Sequence, residues 1–353
     1  MPARKRPARE MEVDSRAAVG SGGVDHISKN GDVVFYFPGT PTNGNNKITK
    51  IRVSSAILTM TSPVFATLLG PHFREGQEPR NPSSPLEIPL PEDDLQTMSD
   101  LCLLLHHICV PEFALASDLD RVVAFAVAAD KWDCTEALTL QSRGILLQAL
   151  YHNVVSDDGV GLAKLATIAY CLNEEQIFAD VVDTLMLNYA GSFLEVKNEL
   201  EESILPVQFY LVLEERRSKA REKLSVGLRE LSSFCKRCKT TMAKGAVDSE
   251  YLRHIAMDDP ESDWPPAWQE KSITLDKAFN HIRSLKPIAF RPMVACKDCG
   301  SRIPTTVHRA DFEALCRRTA RLWEGLSLAC IGEDCLLFKE DSLRCAYEGE
   351  DAE

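Results

Sequence analysis

An α+β fold is what this chain predicts, and three observations predict it. A β-branched and aromatic run, Asp32-Val-Val-Phe-Tyr-Phe37, begins after Gly31 and stops at Pro38-Gly39, as a strand bounded by turn signals does. The stretch Ile51 to Leu69 reads as a strand entering a short helix that stops and restarts at Ser62-Pro63. From Asp93 onward the apolar residues recur mainly at helical spacing.

The elements follow in order. Residues 1 to 28 are expected to form a disordered basic tail: Met1-Pro-Ala-Arg-Lys-Arg-Pro-Ala-Arg9 has no apolar core after it, so it is no secretory signal, and Gly20-Ser-Gly-Gly23 behaves as a flexible linker. Arg4-Lys5-Arg6 with Arg9 reads either as a nuclear-import address or as a solubilising tail. At the helix break, Pro63 suits a first helical turn because its missing N–H costs nothing there, and Ser62 before it can cap the new helix. Gln77 to Pro85 is a polar loop with three prolines, expected to be exposed and adaptable. Leu86-Glu-Ile-Pro-Leu90 alternates like a short strand, and Pro89 and Pro91 confine it to an edge. Asp93 to Cys109 carries Leu101, Leu104, Leu105 and Ile108 on one helical face, and Leu119 to Trp132 is a nearly all-apolar helix.

These elements resemble the BTB/POZ family. The matching residues are Asp32 leading the first strand, Leu58, Ser62, Pro63 and Phe65 of the "S-P-x-F" signature, His72-Phe-Arg-Glu-Gly76 at the place of an "F-x-E" element, and Ala129-Asp-Lys-Trp132 in place of "A-D-K-Y". Where the family usually has a His-Lys pair, this chain has Ser54-Ser55, and the likeness is closest to fungal forms. The resemblance covers about residues 29 to 150. It implies a small sheet with clustered helices that dimerises through its first strand and first helices, with Val33, Phe35, Ile57, Leu58, Phe65, Leu68 and Leu69 supplying apolar contacts. Residues 151 to 232 resemble the helical extension that follows many BTB units: Asp157-Asp158 can cap a helix showing Leu162, Leu165, Ile168 and Leu172, and Ile177, Val181, Leu185 and Tyr189 continue in another. Glu214 to Glu230 interleaves both signs of charge and reads as a solvated helix.

The region 233 to 345 is Cys-rich. Cys235-Lys-Arg-Cys238 and Cys296-Lys-Asp-Cys299-Gly300 each place two thiols where a tight turn presents both sulfurs to one tetrahedral ion, so a structural four-thiolate zinc site is expected. Cys330 and Cys335 are a rival partner set for Cys296 and Cys299. Cys316 lies on a stripe with Phe312, Leu315, Thr319, Leu322, Trp323 and Leu326, and burial is expected for it, as for Cys102, Cys109, Cys134 and Cys171. Asp258 to Trp268 marks a loop, its Pro-Pro step being incompatible with a helix, and residues 346 to 353 form an acidic tail.

Composition bounds the function. The 353 residues suit two to three domains by a length prior of roughly 100–200 residues each. A net charge of −12 argues against a broad electrostatic grip on nucleic acid, and no stretch approaches a membrane span. Twelve irregularly spaced cysteines fit an intracellular chain, cytoplasmic or nuclear. Gly159-Val-Gly161 lacks the third glycine and the Lys-Ser/Thr of a nucleotide loop, and no G-x-S-x-G elbow or H-E-x-x-H helix occurs. The expected function is therefore a non-enzymatic interaction module, homodimeric, acting as scaffold or adaptor. A cullin-type ubiquitin-ligase adaptor is the alternative, with Val110-Pro-Glu112 as a hydrophobic-x-Glu contact. A transcriptional regulator rests only on Arg317, Arg318 and Arg321.

Overall fold

The computed structural model describes residues 23–38, 49–110, 113, 118–153, 158–200, 204–233, 274–284, 288–289, 306–307 and 309–322. The chain divides into two compact units, Met1–Pro111 with Ala124–Gln141, and Glu112–Val123 with Ser142–Glu353. The helix Thr135–Asn153 runs through both the boundary at Gln141 and Ser142 and the expected one at residue 150. Secondary structure is α+β, as expected.

The first unit is built on a four-stranded mixed sheet of β1 (Val24–His26), β2 (Val33–Tyr36), β3 (Lys50–Val53) and β4 (Leu86–Pro89), in the order β1-β3-β2-β4. β1 falls inside the expected tail: it pairs in parallel with β3, and three residues are too few to show an alternation in sequence. β2 and β3 are antiparallel with Val33 opposite Val53 and Phe35 opposite Ile51, and β2 and β4 are parallel with Phe35 opposite Ile88. This register puts Val33, Phe35, Ile51, Val53, Leu86 and Ile88 on one buried face. β4 occupies an edge, where the missing N–H of Pro89 is tolerated.

Four helices complete this sheet's surroundings: α1 (Ser55–Thr61), α2 (Pro63–Leu68), the single turn α3 (Arg74–Gln77) and α4 (Leu95–Leu105). Asp94 caps α4 by accepting from Thr97 N–H at 2.8 Å. α4 stops short of Cys109 because His106 closes it and His107 takes a left-handed φ of 58°. Cys109 is consequently exposed rather than buried, whereas Cys102, Cys134, Cys171 and Cys316 are buried as expected. The loop 78–85 is pinned rather than adaptable: Asn81 Oδ1 accepts from the N–H groups of Ser83 and Ser84, Arg52 donates to Pro82 O, and Arg80 donates twice to Leu69 O.

Two further helices, α5 (Leu119–Lys131) and α6 (Thr135–Asn153), follow in sequence. The second unit then holds α7 (Gly159–Cys171), α8 (Glu175–Asn188), α9 (Phe193–Glu199), α10 (Val207–Ser233), α11 (Leu275–Ser284) and α12 (Arg309–Ala320), with the short pair β5 (Ile288–Ala289) and β6 (Thr306–Val307). α7 packs on α8, and α10 on both α9 and α12. Asp158 caps α7 through Gly161 N–H at 3.0 Å. Gly159 has a packing role: a Cβ there would stand 2.6 Å from the Tyr189 ring.

α10 departs from the solvated helix its charges suggest. Leu213, Ala220, Leu224 and Leu228 are buried along it, and Arg217 is buried with them. The Arg217 guanidinium lies 4.1 Å from the Phe193 ring centre and donates to Glu214 and to Tyr189 O, so its charge is paired and its stem packs as an apolar side chain. Among the described residues no single helix is long and apolar enough to cross a membrane.

Candidate interaction surface

The expected contact residues sort into two groups. Val33, Phe35, Leu58, Phe65 and Leu69 are buried inside the first unit, so they are core residues and not a contact face. Phe65 is covered by Phe35 of β2 and by Trp132, and α1 packs against α2 and α4. Ile57 and Leu68 keep part of their surface. The apolar side chains facing solvent nearby are ones the sequence did not single out: Met60, 86% exposed, Val64, and Phe73, 46% exposed.

Val64 and Phe73 belong to a groove of about 420 Å³ lined by Pro63, Val64, Thr67, Leu68, Phe73 and Trp132. Its floor is organised by the two segments that carry the family resemblance. Ser62 accepts from Phe65 N–H at 2.9 Å, capping α2, and its hydroxyl donates at 2.5 Å to Trp132 O. The Phe65 ring stacks on Trp132 with centroids 4.4 Å apart and planes 8° from parallel, and Phe65 stacks in turn on Phe35 at 5.7 Å. The helix break therefore positions Ser62 to cap α2 and hold the Trp132 backbone, with Phe65 stacked on that ring.

The groove's lining is apolar. Thr67 is the one polar residue in it, and its hydroxyl is spent on Pro63 O at 2.8 Å. Outside the lining, Asp93 accepts from Lys131 at 2.8 Å and from Trp132 Nε1 at 3.4 Å, which orients the indole. A surface with no charge and no unpaired polar group suits an apolar side chain of another polypeptide.

The entrance to α1 is fixed from two remote points. Asp32 accepts from Ser55 N–H at 2.8 Å and from the Ser55 hydroxyl at 2.6 Å, and Arg80 lies 3.7 Å away. Burial acts to raise the Asp32 pKa, but the Ser55 bonds and the Arg80 charge outweigh it and leave the carboxyl below its ordinary value. His106 Nε2 accepts from Ser54 N–H at 3.1 Å while Nδ1 faces Cys102 O at 2.7 Å, so the neutral Nδ1–H tautomer satisfies both. Burial lowers the His106 pKa accordingly. Burial likewise pushes the Cys134 thiol up to about 11, with Ser62 acting in the opposite sense, which leaves it no nucleophile at neutral pH.

Other expected sites fall elsewhere. Cys235, Cys238, Cys296, Cys299, Cys330 and Cys335 lie outside the described residues, as do Pro111 and Glu112, the loop 258–268 and both chain tips. Val110 is 1% exposed, so the hydrophobic-x-Glu contact has no apolar side chain to present there. Arg317, Arg318 and Arg321 are exposed at the end of α12 and beyond it. Among the described residues no group of three or more His, Cys, Asp or Glu is placed to hold a metal ion. Compared with protein-family models and with curated proteins, the chain matches none.

Proposed function

We propose that this chain is a non-enzymatic protein-interaction module of BTB/POZ type that self-associates through its first unit and acts as a scaffold or adaptor. The observation that carries this reading is the apolar groove with Val64 and Phe73 at its surface, beside Met60 on the preceding helix. Exposed anchors next to a preformed apolar depression are the pattern by which a few residues dominate binding energy. The contact face is accordingly Ile57, Met60, Val64, Leu68 and Phe73, in place of the buried residues named from sequence. A symmetric pair would present this patch twice.

Sedimentation velocity of the full chain at micromolar concentration tests it. A dimer is expected, and Val64→Glu with Phe73→Glu is expected to yield monomer with unchanged helicity, Tm falling only by the contribution that association makes. A wild-type monomer, or a double variant that stays dimeric, contradicts the assignment of this face.

The zinc proposal stands beside it. Cys235, Cys238, Cys296 and Cys299 would hold a structural ion, with Cys330 and Cys335 as the rival pair. Metal analysis of the full chain is expected to find stoichiometric zinc that Cys299→Ser removes. Its absence from the wild-type protein would end that proposal.

A further inference from the structure

α6 is apolar on two sides, and among the described residues only one is covered. Leu138, Ser142, Leu146 and Ala149 are buried. On the opposite side, Ala137, Leu140, Gly144, Leu147 and Tyr151 all face solvent, Leu140 84% and Tyr151 79% exposed. Their spacing of three, four, three and four residues is the heptad seam by which one helix meets another. All five stand on one uninterrupted helix.

The order of sizes along this seam is what identifies its occupant. Gly144 is central, Leu140 and Leu147 flank it, and small Ala137 and large Tyr151 stand at the ends, seven residues either side. In an antiparallel pair with its two-fold axis at Gly144, Tyr151 of one copy falls opposite Ala137 of the other, and Leu140 lies level with Leu147. Large meets small at both ends, and two glycines meet at the crossing. Nothing stands within 4 Å of where a Gly144 Cβ would be. Glycine in mid-helix costs about 0.5–1 kcal/mol relative to alanine, so its own helix gives no reason for it, whereas a close backbone approach does. Arg143, the one charge among the exposed residues from Leu140 to Gln148, is already paired with Glu174 at 2.9 Å, so two copies bring no bare like charges together.

We infer that the exposed face of α6 is a second homotypic surface, on which a second copy of this chain packs its own α6 antiparallel, crossing at Gly144. Covering five such residues on two copies removes on the order of 1,000 Å² from water, the lower bound for a specific contact. The interaction is therefore weak alone and becomes effective where another contact raises the local concentration.

Cross-linking tests it independently of the groove. Gly144→Cys is placed in the full chain carrying Val64→Glu and Phe73→Glu, oxidised with glutathione disulfide, and read on a non-reducing gel against the same background without the new cysteine. Antiparallel pairing sets the two thiols introduced by Gly144→Cys face to face, while those introduced by Tyr151→Cys stand about 21 Å apart along the axis. Gly144→Cys is expected to couple at least tenfold faster than Tyr151→Cys, and Leu140→Glu with Leu147→Glu is expected to abolish the coupling. Equal coupling at both positions, or none above background at Gly144→Cys, overturns the inference and leaves the groove reading untouched. A wild-type chain that stays monomeric by sedimentation while Gly144→Cys still couples would overturn the groove reading and leave this inference standing.

Discussion

Ser62 ties α2 to the end of α5. It caps α2 and holds the Trp132 carbonyl, and it is buried. Ser62→Ala removes both bonds and leaves the Trp132 carbonyl the weak Cys134 thiol donor at 3.4 Å, so a loss of about 2 kcal/mol is expected from denaturant melts. His106 gives the first unit a pH dependence of definite sign. Its folded pKa lies below its ordinary value, so the unfolded chain takes up the proton first, and stability is full above about pH 6.5 and declines as pH falls below it. Asp32, also lowered, acts only further down: its contribution is present above about pH 4 and lost as pH drops through the folded pKa. Denaturation midpoints at pH 7.5 and 5.5 are expected to differ in the wild type and to differ less in His106→Gln, which keeps an acceptor but does not titrate. An unchanged difference would remove His106 as its source.

Elements were legible where a local signal named them. Ser62-Pro63 announced the break between α1 and α2, Pro89 announced an edge strand, and the stripes of α7 and α8 announced buried helices. Illegible elements failed for identifiable reasons. β1 is too short to alternate, and α10 hides Arg217 by pairing its charge, which no linear pattern records. Gly159 offered a faint nucleotide-loop spacing, yet the Tyr189 ring explains it. Gly159→Ala is expected to destabilise by roughly 1–3 kcal/mol through overpacking, and Tyr189→Leu in the same chain to recover part of it. Additive losses in that double-mutant cycle would mean the ring and the glycine are uncoupled.

At the scale of the molecule, five of the contact residues expected from sequence, Val33, Phe35, Leu58, Phe65 and Leu69, lie in the core of the first unit. Helical periodicity identifies an apolar face without saying what covers it; Leu58, Phe65 and Leu69 are buried within the unit, and the exposed apolar residues beside them, Met60, Val64 and Phe73, have no periodic signature of their own. The same blindness concealed the second apolar face of α6. If both faces work, the chain has two homotypic contacts of different strength, and assembly beyond a dimer follows at high concentration. Under the zinc proposal, chelation is expected to lower a melting transition and to leave the sedimentation mass unchanged; a chelated protein that turns monomeric would link metal and dimer.

The most direct test of the central claim is the sedimentation mass of the intact chain across a micromolar dilution series, set beside that of Val64→Glu/Phe73→Glu. The account predicts twice the chain mass for the wild type and a single chain mass for the variant at equal helicity. A single chain mass for both would contradict it.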